Sequence, residues 1–421
     1  PSRRRTSRSR SARLSYADRG TGLIARAGSI QGREKGSGVA LSAPGLLFAG
    51  LGLLSLMTPF MTLAANRIVA GQGVLAWKVA DPSATWPGVA AVLLGLAFGL
   101  PARWAQLRLC GAVLGLVGVL WLLIQGAPAL LDQAGEYARV SPAMGFWFLS
   151  AIFSLLMVDA LLAMAPGPLA RGGLLAVVLG AMGAVLWSGL LSDLSILKEY
   201  SARSDAFYRE FLRHMGLAFG SLGAAAVIGF PIGILSHRRA GLRAAILPIL
   251  SFLQTVPSLA MFGLMIPLLG WVGHTVPGAQ AIGIAGIGFA PAFLALVLYS
   301  LLPVVGNTVA GLASAPPAAV EAARGMGMTP QQRLLRVELP LGLPIILTGL
   351  RIVLVQNIGL AVIAGLIGGG GFGTFVFQGL NQTATDLILL GALPTVILAL
   401  ASAIVMDILV ELTRPTAKET A

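Results

Sequence analysis

Charged side chains and cysteine are scarce in this sequence. Only 11% of its 421 residues are Asp, Glu, Lys or Arg, against roughly 25% in an average soluble domain, which excludes an ordinary cytosolic enzyme. The one cysteine, Cys110, cannot form a disulfide within the chain or a cysteine metal cluster. The three histidines, His214, His237 and His274, share no helical metal-ligand spacing. We therefore expect no catalytic residue, no metal and no cofactor bound by this chain.

Apolar residues and glycine make up most of what is present. The apolar share is 56%, glycine occurs 54 times and the mean hydropathy is +0.86. These values are typical of an all-α polytopic membrane protein, in which glycine lets helices approach closely. Since about 20 apolar residues cross a bilayer, the sequence predicts about ten transmembrane helices. The predicted spans are 44–65, 87–102, 107–131, 143–164, 172–192, 213–236, 244–269, 284–311, 341–366 and 386–411.

The net charge of +13 is concentrated near the start of the chain. Residues 1–43 hold ten of the 29 Lys and Arg residues and show no apolar periodicity. We predict that they form a basic disordered cytoplasmic tail that is attracted to anionic membrane lipid. No aromatic or folded module accompanies the tail, so we expect no nucleic-acid partner. Residues 412–421 are predicted to be a short cytoplasmic tail.

The remaining Lys and Arg residues indicate an orientation, because cationic loops stay cytoplasmic. With the N-terminus inside, the predicted cytoplasmic segments hold 21 of these residues and the outer segments hold seven. We therefore expect both termini in the cytoplasm. Two of the charges that fall within predicted spans are Asp159 and Arg351. Asp159 is expected to pair or to reach the interface rather than to relay protons, and Arg351 is expected to be an interfacial anchor or a charge on the transport path.

A charge-rich stretch divides the chain into two halves. Apolar residues recur in 193–212 at mostly three- and four-residue steps, which predicts a linker helix on the outer membrane surface. It separates a five-span N-terminal region, 44–192, from a five-span C-terminal region, 213–411. The sequence alone assigns no role to the first region.

The predicted cytoplasmic segment 313–340 is too long for a tight turn and has the features of two short helices. Pro317 can start the first helix and Gly327 can end it. Thr329 is a suitable N-cap for the second helix, with Gln332 at its third position. A helical hairpin of this kind can transmit force to a soluble partner.

This segment also carries a family resemblance. Glu-Ala-Ala at 321–323, Gly327, and Val-Glu-Leu-Pro at 337–340 resemble the EAA loop of ABC-importer permeases. The resemblance implies a type I importer fold for 213–411 and a bacterial inner-membrane location. It also implies separate ATPase subunits that hold ATP and magnesium, a second permease subunit, identical or paralogous, and an extracytoplasmic binding protein. The residues implied in ATPase docking are Glu321, Ala322, Ala323, Gly325, Gly327, Leu339 and Pro340.

Three further segments bear on the transport path. Segments 253–260 and 298–303 look most like permeases for quaternary amines, and 368–373 resembles the outer gate region of the same family. Pro257 indicates either a structural kink, with Thr255 or Ser258 satisfying a freed carbonyl, or a broken turn that lines the path. The glycine run indicates close packing or a flexible gate. The candidate path and gate residues are Gln254, Thr255, Pro257, Ser258, Tyr299, Gly369 and Gly370.

The extended N-terminal region makes the whole pattern similar to a subgroup of glycine-betaine uptake permeases. Capture of a quaternary amine ordinarily uses an aromatic cage, and the C-terminal half shows no tight aromatic cluster in its sequence. We therefore expect selection to occur mostly on the separate binding protein. Another small polar cargo such as an amino acid is the first alternative. An ion-coupled secondary transporter is the second, and a membrane-bound regulator is the third.

Overall fold

The computed structural model describes residues 41–66, 69–132 and 134–414. Nearly all of the predicted tail at 1–43, and most of the tail at 412–421, lie outside the described residues. Within the described range, eight helices are long and apolar enough to cross a membrane, and three shorter apolar helices accompany them. The predicted polytopic helical fold is confirmed, with changes at several helix boundaries.

The N-terminal region is built on a helical core. Its helices are α1 (Ala43–Leu56), α2 (Pro82–Phe98), α3 (Ala105–Asp132), α4 (Met144–Met164) and α5 (Pro168–Trp187). Helix α3 packs against α2 and α4. Glycine permits this contact, because a Cβ at Gly95 would lie 2.6 Å from the carbonyl oxygen of Gly111.

A small antiparallel sheet lies at one end of this region and was not predicted. Its strands are β1 (Met61–Ala64), β2 (Gln72–Val74) and β3 (Arg139–Pro142), in the order β2-β1-β3. Strand β1 occupies the end of the predicted span 44–65, so that prediction was wrong beyond Leu56. The helix ends there because Pro59 follows closely, and the residue before a proline disfavours helical backbone. Met61 then pairs with both Val74 and Pro142.

Two helices replace the single predicted linker helix at 193–212. They are α6 (Ser195–Ala202) and α7 (Ser204–Met215). Arg203 separates them with φ of −137°. A π turn, Gly216–Gly220, joins α7 to α8 (Ser221–Arg238), so the linker continues directly into the next span as one helix, Ser204–Arg238.

The helices of the C-terminal region pack around one central helix, α11 (Phe289–Ala313). The helices that follow α8 are α9 (Ala240–Thr255), α10 (Ser258–Thr275), α11 (Phe289–Ala313), α12 (Pro317–Gly325), α13 (Pro330–Arg333), α14 (Leu339–Leu360), α15 (Gly373–Asn381) and α16 (Thr385–Leu412). Short 3-10 turns occupy Ala76–Lys78, Gln280–Ile282 and Ile363–Ile367. Helix α11 packs against α8 and α14, and α14 packs against α16.

Two predicted spans have a different shape from the one expected. The span 244–269 is broken into α9 and α10 at Val256, whose backbone is extended because Pro257 follows. The span 341–366 begins earlier, since α13, a π turn at Leu334–Glu338 and α14 form one continuous helix of 31 residues, Pro330–Leu360.

The N-terminal region reaches the C-terminal bundle through α5. This helix buries none of its residues and packs against α16. Among the glycines of α5, Gly172 comes closest to α16, because a Cβ built on it would lie 3.6 Å from the side chain of Ile408. The last span of the first half therefore lies beside the last span of the second half.

Candidate docking hairpin and transport path

The first helix of the hairpin, α12, begins and ends where its sequence predicts, and α13 begins where its sequence predicts. Gly327 has φ of +76°, a left-handed conformation that glycine adopts without strain. Thr329 and Gln332 form a capping box, in which the amide of Gln332 donates to Thr329 Oγ1 over 3.2 Å and the amide of Thr329 donates to Gln332 Oε1 over 2.9 Å. The predicted first short helix and the start of the second are confirmed, but the second is not a separate short helix, because α13 continues into α14.

The candidate docking residues divide between two faces of the hairpin. Glu321, Ala322 and Gly325 are exposed, whereas Ala323 is 1% exposed and packs inward. Leu339 is half-buried at the start of α14. The exposed part of this hairpin thus combines small residues with the charged side chains of Glu321 and Arg324 and with Met326, which is 69% exposed.

Glu338 attaches the hairpin to the adjoining helices. Arg333 Nε donates to Glu338 Oε1 over 2.9 Å, and His237 Nε2 lies 3.8 Å from the other carboxylate oxygen. Arg238 donates to the carbonyl of Pro330 over 3.1 Å. These contacts connect the end of α8 to the base of the hairpin, and they enclose a cleft of about 460 Å³ that Glu321 and Arg324 also line.

The break between α9 and α10 is held by α11. Gln254 Nε2 donates to the carbonyl of Tyr299 over 2.8 Å, and the Tyr299 hydroxyl donates to the carbonyl of Val256. The hydroxyl of Thr255 instead donates to Phe252 in its own helix. Thr255 thus donates to a carbonyl in the last turn of α9, as the kink alternative expected, whereas the contact from Tyr299 was not predicted.

A polar cluster inside the bundle was not predicted. Asn357 Nδ2 donates to Ser221 Oγ over 2.8 Å and to Ser300 Oγ over 2.9 Å. All three side chains are at most 1% exposed. The cluster joins α8, α11 and α14, and hydrogen bonding satisfies polar groups that would otherwise be costly in an apolar interior. The sequence signal was a lone Asn in an apolar helix.

The glycine run at 368–373 forms a tight turn seated on α7. Gly368, Gly370 and Gly371 have φ between +74° and +81°. A Cβ at Gly370 would lie 2.6 Å from Arg213 Cδ, and one at Gly369 would lie 3.0 Å from the Cβ of Ala292. Of the two alternatives, close packing and a flexible gate, this geometry favours close packing.

Aromatic side chains cluster beside this turn, contrary to the expectation of no tight cluster. Phe207 and Phe211 from α7 contact Phe372, at ring-centroid distances of 5.4 and 6.1 Å. Phe207 also stacks on Phe375. The sequence hid this arrangement because the rings come from segments about 160 residues apart. Phe372 and Phe375 are buried, so the cluster is a packed core rather than an open cage.

The two regions of the chain match two family models. Residues 42–197 match the model described as "ABC transporter permease YehY, N-terminal domain". Residues 225–419 match "Binding-protein-dependent transport system inner membrane component". The chain is 43% identical to the osmoprotectant import permease protein OsmW of Salmonella typhimurium, over 45% of this chain and 82% of that protein.

The chain belongs to the ABC-importer permeases.

Two other relatives of this permease come from Bacillus subtilis. The glycine betaine/carnitine/choline permease OpuCD is 36% identical over 52% of this chain and 90% of its own length. The choline permease OpuBD is 36% identical over 54% of this chain and 95% of its own length. Among solved structures, a permease chain of the inward-facing MetNI methionine ABC transporter is 23% identical, with a TM-score of 0.44 over 50% of this chain and 96% of that chain.

The two span charges that the sequence pointed to, Asp159 and Arg351, are both paired in this permease. Asp159 is bound by Arg108, as expected from its position. Arg351 Nη1 lies 2.7 Å from Asp407 Oδ1, and Arg171 Nη1 lies 2.7 Å from Asp407 Oδ2. Arg171 also pairs with Glu411. Of the two alternatives for Arg351, an interfacial anchor and a charge on the transport path, this pairing with a residue near the end of α16 favours the anchor.

Proposed function

We propose that this permease imports glycine betaine or a related quaternary-amine osmoprotectant. Support comes from the relatives described as osmoprotectant, glycine betaine and choline permeases, which match 45–54% of the chain. The cargo passes through the C-terminal bundle near the break at Val256, where Gln254 and Tyr299 supply polar groups. The passage needs to bind the cargo only weakly, because a separate binding protein outside the membrane selects it.

ATP is hydrolysed on separate ATPase subunits that dock on the hairpin of α12 and α13. The observation that carries this proposal is the exposed Glu321, Ala322 and Gly325 surface on a hairpin braced by Glu338. ATP and magnesium are bound by those subunits, and a second permease subunit, identical or paralogous, completes the pathway. The hairpin and both termini are cytoplasmic, in keeping with the bias of Lys and Arg toward these segments.

Transport follows from motion of the hairpin. Closure of the ATPase subunits around ATP brings the two hairpins together and shifts the spans from inward-open to outward-open. The second helix of the hairpin, α13, belongs to the same continuous helix as α14, so a displacement of the hairpin also displaces this span. The chain itself performs no chemistry.

Docking is tested by Glu321→Lys and Gly327→Leu. The first reverses the exposed charge, and the second places a branched side chain at φ of +76°. Both are expected to abolish co-purification of the ATPase and uptake while membrane insertion stays intact. The matched control is Glu136→Lys, an exposed residue in the loop before β3. Unchanged ATP-driven uptake in either variant would refute the docking assignment.

Cargo is tested by uptake of radiolabelled glycine betaine in cells that express the permease with its ATPase and binding protein. Excess choline or carnitine should compete, whereas an amino acid should not. Uptake should persist when the ion gradient is collapsed and cellular ATP is maintained. Competition by an amino acid alone would favour the alternative cargo, and loss of uptake with the gradient would favour a secondary transporter.

A further inference from the structure

A single carboxylate makes most of the polar contact between α7 and the glycine turn. Glu210 Oε2 accepts the amide of Gly371 over 2.6 Å and the hydroxyl of Thr374 over 3.3 Å. Its other oxygen lies 3.7 Å from Arg213 Nη1, and its side chain is only 13% exposed. A carboxylate that accepts two donors at a half-buried site forms stronger hydrogen bonds than a neutral acceptor.

The turn is shaped to receive this carboxylate. A Cβ at Gly370 would lie 2.7 Å from Glu210 Oε2, and one at Gly371 would lie 3.1 Å from His214 Nδ1. Both glycines have positive φ, which directs the amide of Gly371 toward α7. A side chain at either position would push the turn away from the helix. The glycine sequence and the position of Glu210 are therefore parts of one arrangement.

The turn connects α7 with the segment between α14 and α15. It follows α14, begins α15, and carries Phe372, whose amide also donates to His214 over 3.4 Å. Helix α7 is continuous with α8, which packs against α11. The contact at Glu210 is thus a second link of the α7–α8 helix to α14 and the segment that follows it, beside the hydrogen bond from Asn357 to Ser221.

The geometry points to Glu210 as a positioning residue that latches the 368–373 turn to α7, so that the turn and the α7–α8 helix move together during transport. This role rests on the proposed transport function, because the turn and the α7–α8 helix move together only if the bundle changes shape as the cargo passes. The latch itself is a property of the isolated chain. The two can therefore be measured separately.

Amide hydrogen exchange of the full-length chain in detergent tests the latch. In Glu210→Ala, amides at 368–374 are expected to exchange about 10- to 100-fold faster, the effect of losing a charge-assisted hydrogen bond. Glu210→Gln keeps an acceptor oxygen and should stay within about threefold of the wild type. Asp205→Ala, an exposed acid on the same helix, is the control. Exchange in Glu210→Ala that equals the wild-type rate would overturn the latch.

Uptake of glycine betaine, normalised to inserted protein, tests the role in transport. Glu210→Ala should lower the maximal uptake rate at least about fivefold, and Glu210→Gln should keep a rate close to that of the wild type. If Glu210 only supported folding, the substitutions would change the yield of inserted protein and not the uptake rate per molecule. Thr374→Val, which removes one donor, should give a smaller effect in both assays and serves if Glu210→Ala does not fold. A full rate with accelerated exchange would refute coupled motion. Absence of betaine uptake by the wild type would instead refute the cargo, and exchange would still decide the latch.

Discussion

Replacing Asp407 with leucine leaves two arginines in the membrane-spanning bundle with one remaining acid between them. In the native chain Arg171, Arg351, Asp407 and Glu411 form a neutral group of four charges. Asp407→Leu gives this group a net charge of +1. These side chains are 28–42% exposed, and three of them lie near the ends of α5 and α16, so we expect Asp407→Leu to lower the free energy of unfolding by only about 1 kcal/mol.

The double variant Arg351→Leu/Asp407→Leu removes one charge of each sign. Arg171 and Glu411 then remain as a pair, and the group is neutral again. Replacing an ion pair by apolar residues is often close to neutral in stability. We therefore expect the double variant to lie within about 0.5 kcal/mol of the wild type, and the coupling energy between the two sites to be about 1 kcal/mol, in the lower part of the range for contacting residues.

Unfolding by SDS in mixed micelles, followed by the fluorescence of the seven tryptophans, measures these energies. Asp81→Asn is the control, because Asp81 is exposed and its side chain does not cap α2; its effect should stay within about 0.5 kcal/mol. If the effects of Arg351→Leu and Asp407→Leu add within about 0.5 kcal/mol, the charges do not interact and the reasoning is refuted.

Two further substitutions address single hydrogen bonds in the bundle. Tyr299→Phe removes the donor to the Val256 carbonyl and should cost about 1–3 kcal/mol in the same titration, whereas the exposed Tyr208→Phe should change little; equal effects of the two would contradict the contact at the break. Asn357→Leu removes the hydrogen bonds to Ser221 and Ser300 and should lower the free energy of unfolding by about 1 kcal/mol. A gain in stability would show that apolar packing at this position contributes more than the hydrogen bonds.

Local sequence rules predicted the elements whose causes are local. Apolar runs of sufficient length located the spans, because a bilayer sets the length of a helix. The hairpin was predicted from Gly327, Thr329 and Gln332, since each acts on residues within three or four positions. The ends of spans were predicted less well. At 61–64 an apolar run continues without a change in composition, and only pairing with distant residues makes it a strand.

The contacts missing from the sequence prediction all join distant segments. Glu210 lies 161 positions from Gly371, and Arg171 lies 236 positions from Asp407. No periodicity in either segment identifies its partner. Tyr299 was a candidate path residue, but its use as the donor to Val256 depends on how α11 lies against the break. These contacts follow from the packing of the bundle and not from any one segment.

In the proposed transport cycle, the helix Pro330–Leu360 carries motion from the hairpin into the bundle, and its shorter part, on the hairpin side, lies outside the spans. At 1.5 Å per residue its 31 residues measure about 46 Å, and Asn357 lies about 40 Å along it from Pro330. Two stretches along the helix can bend: the π turn at Leu334–Glu338 with the neighbouring Pro340, and the turn at Pro344. When the hairpin moves, the Asn357 end of the helix therefore tilts with it, and bending at these two stretches makes the tilt smaller.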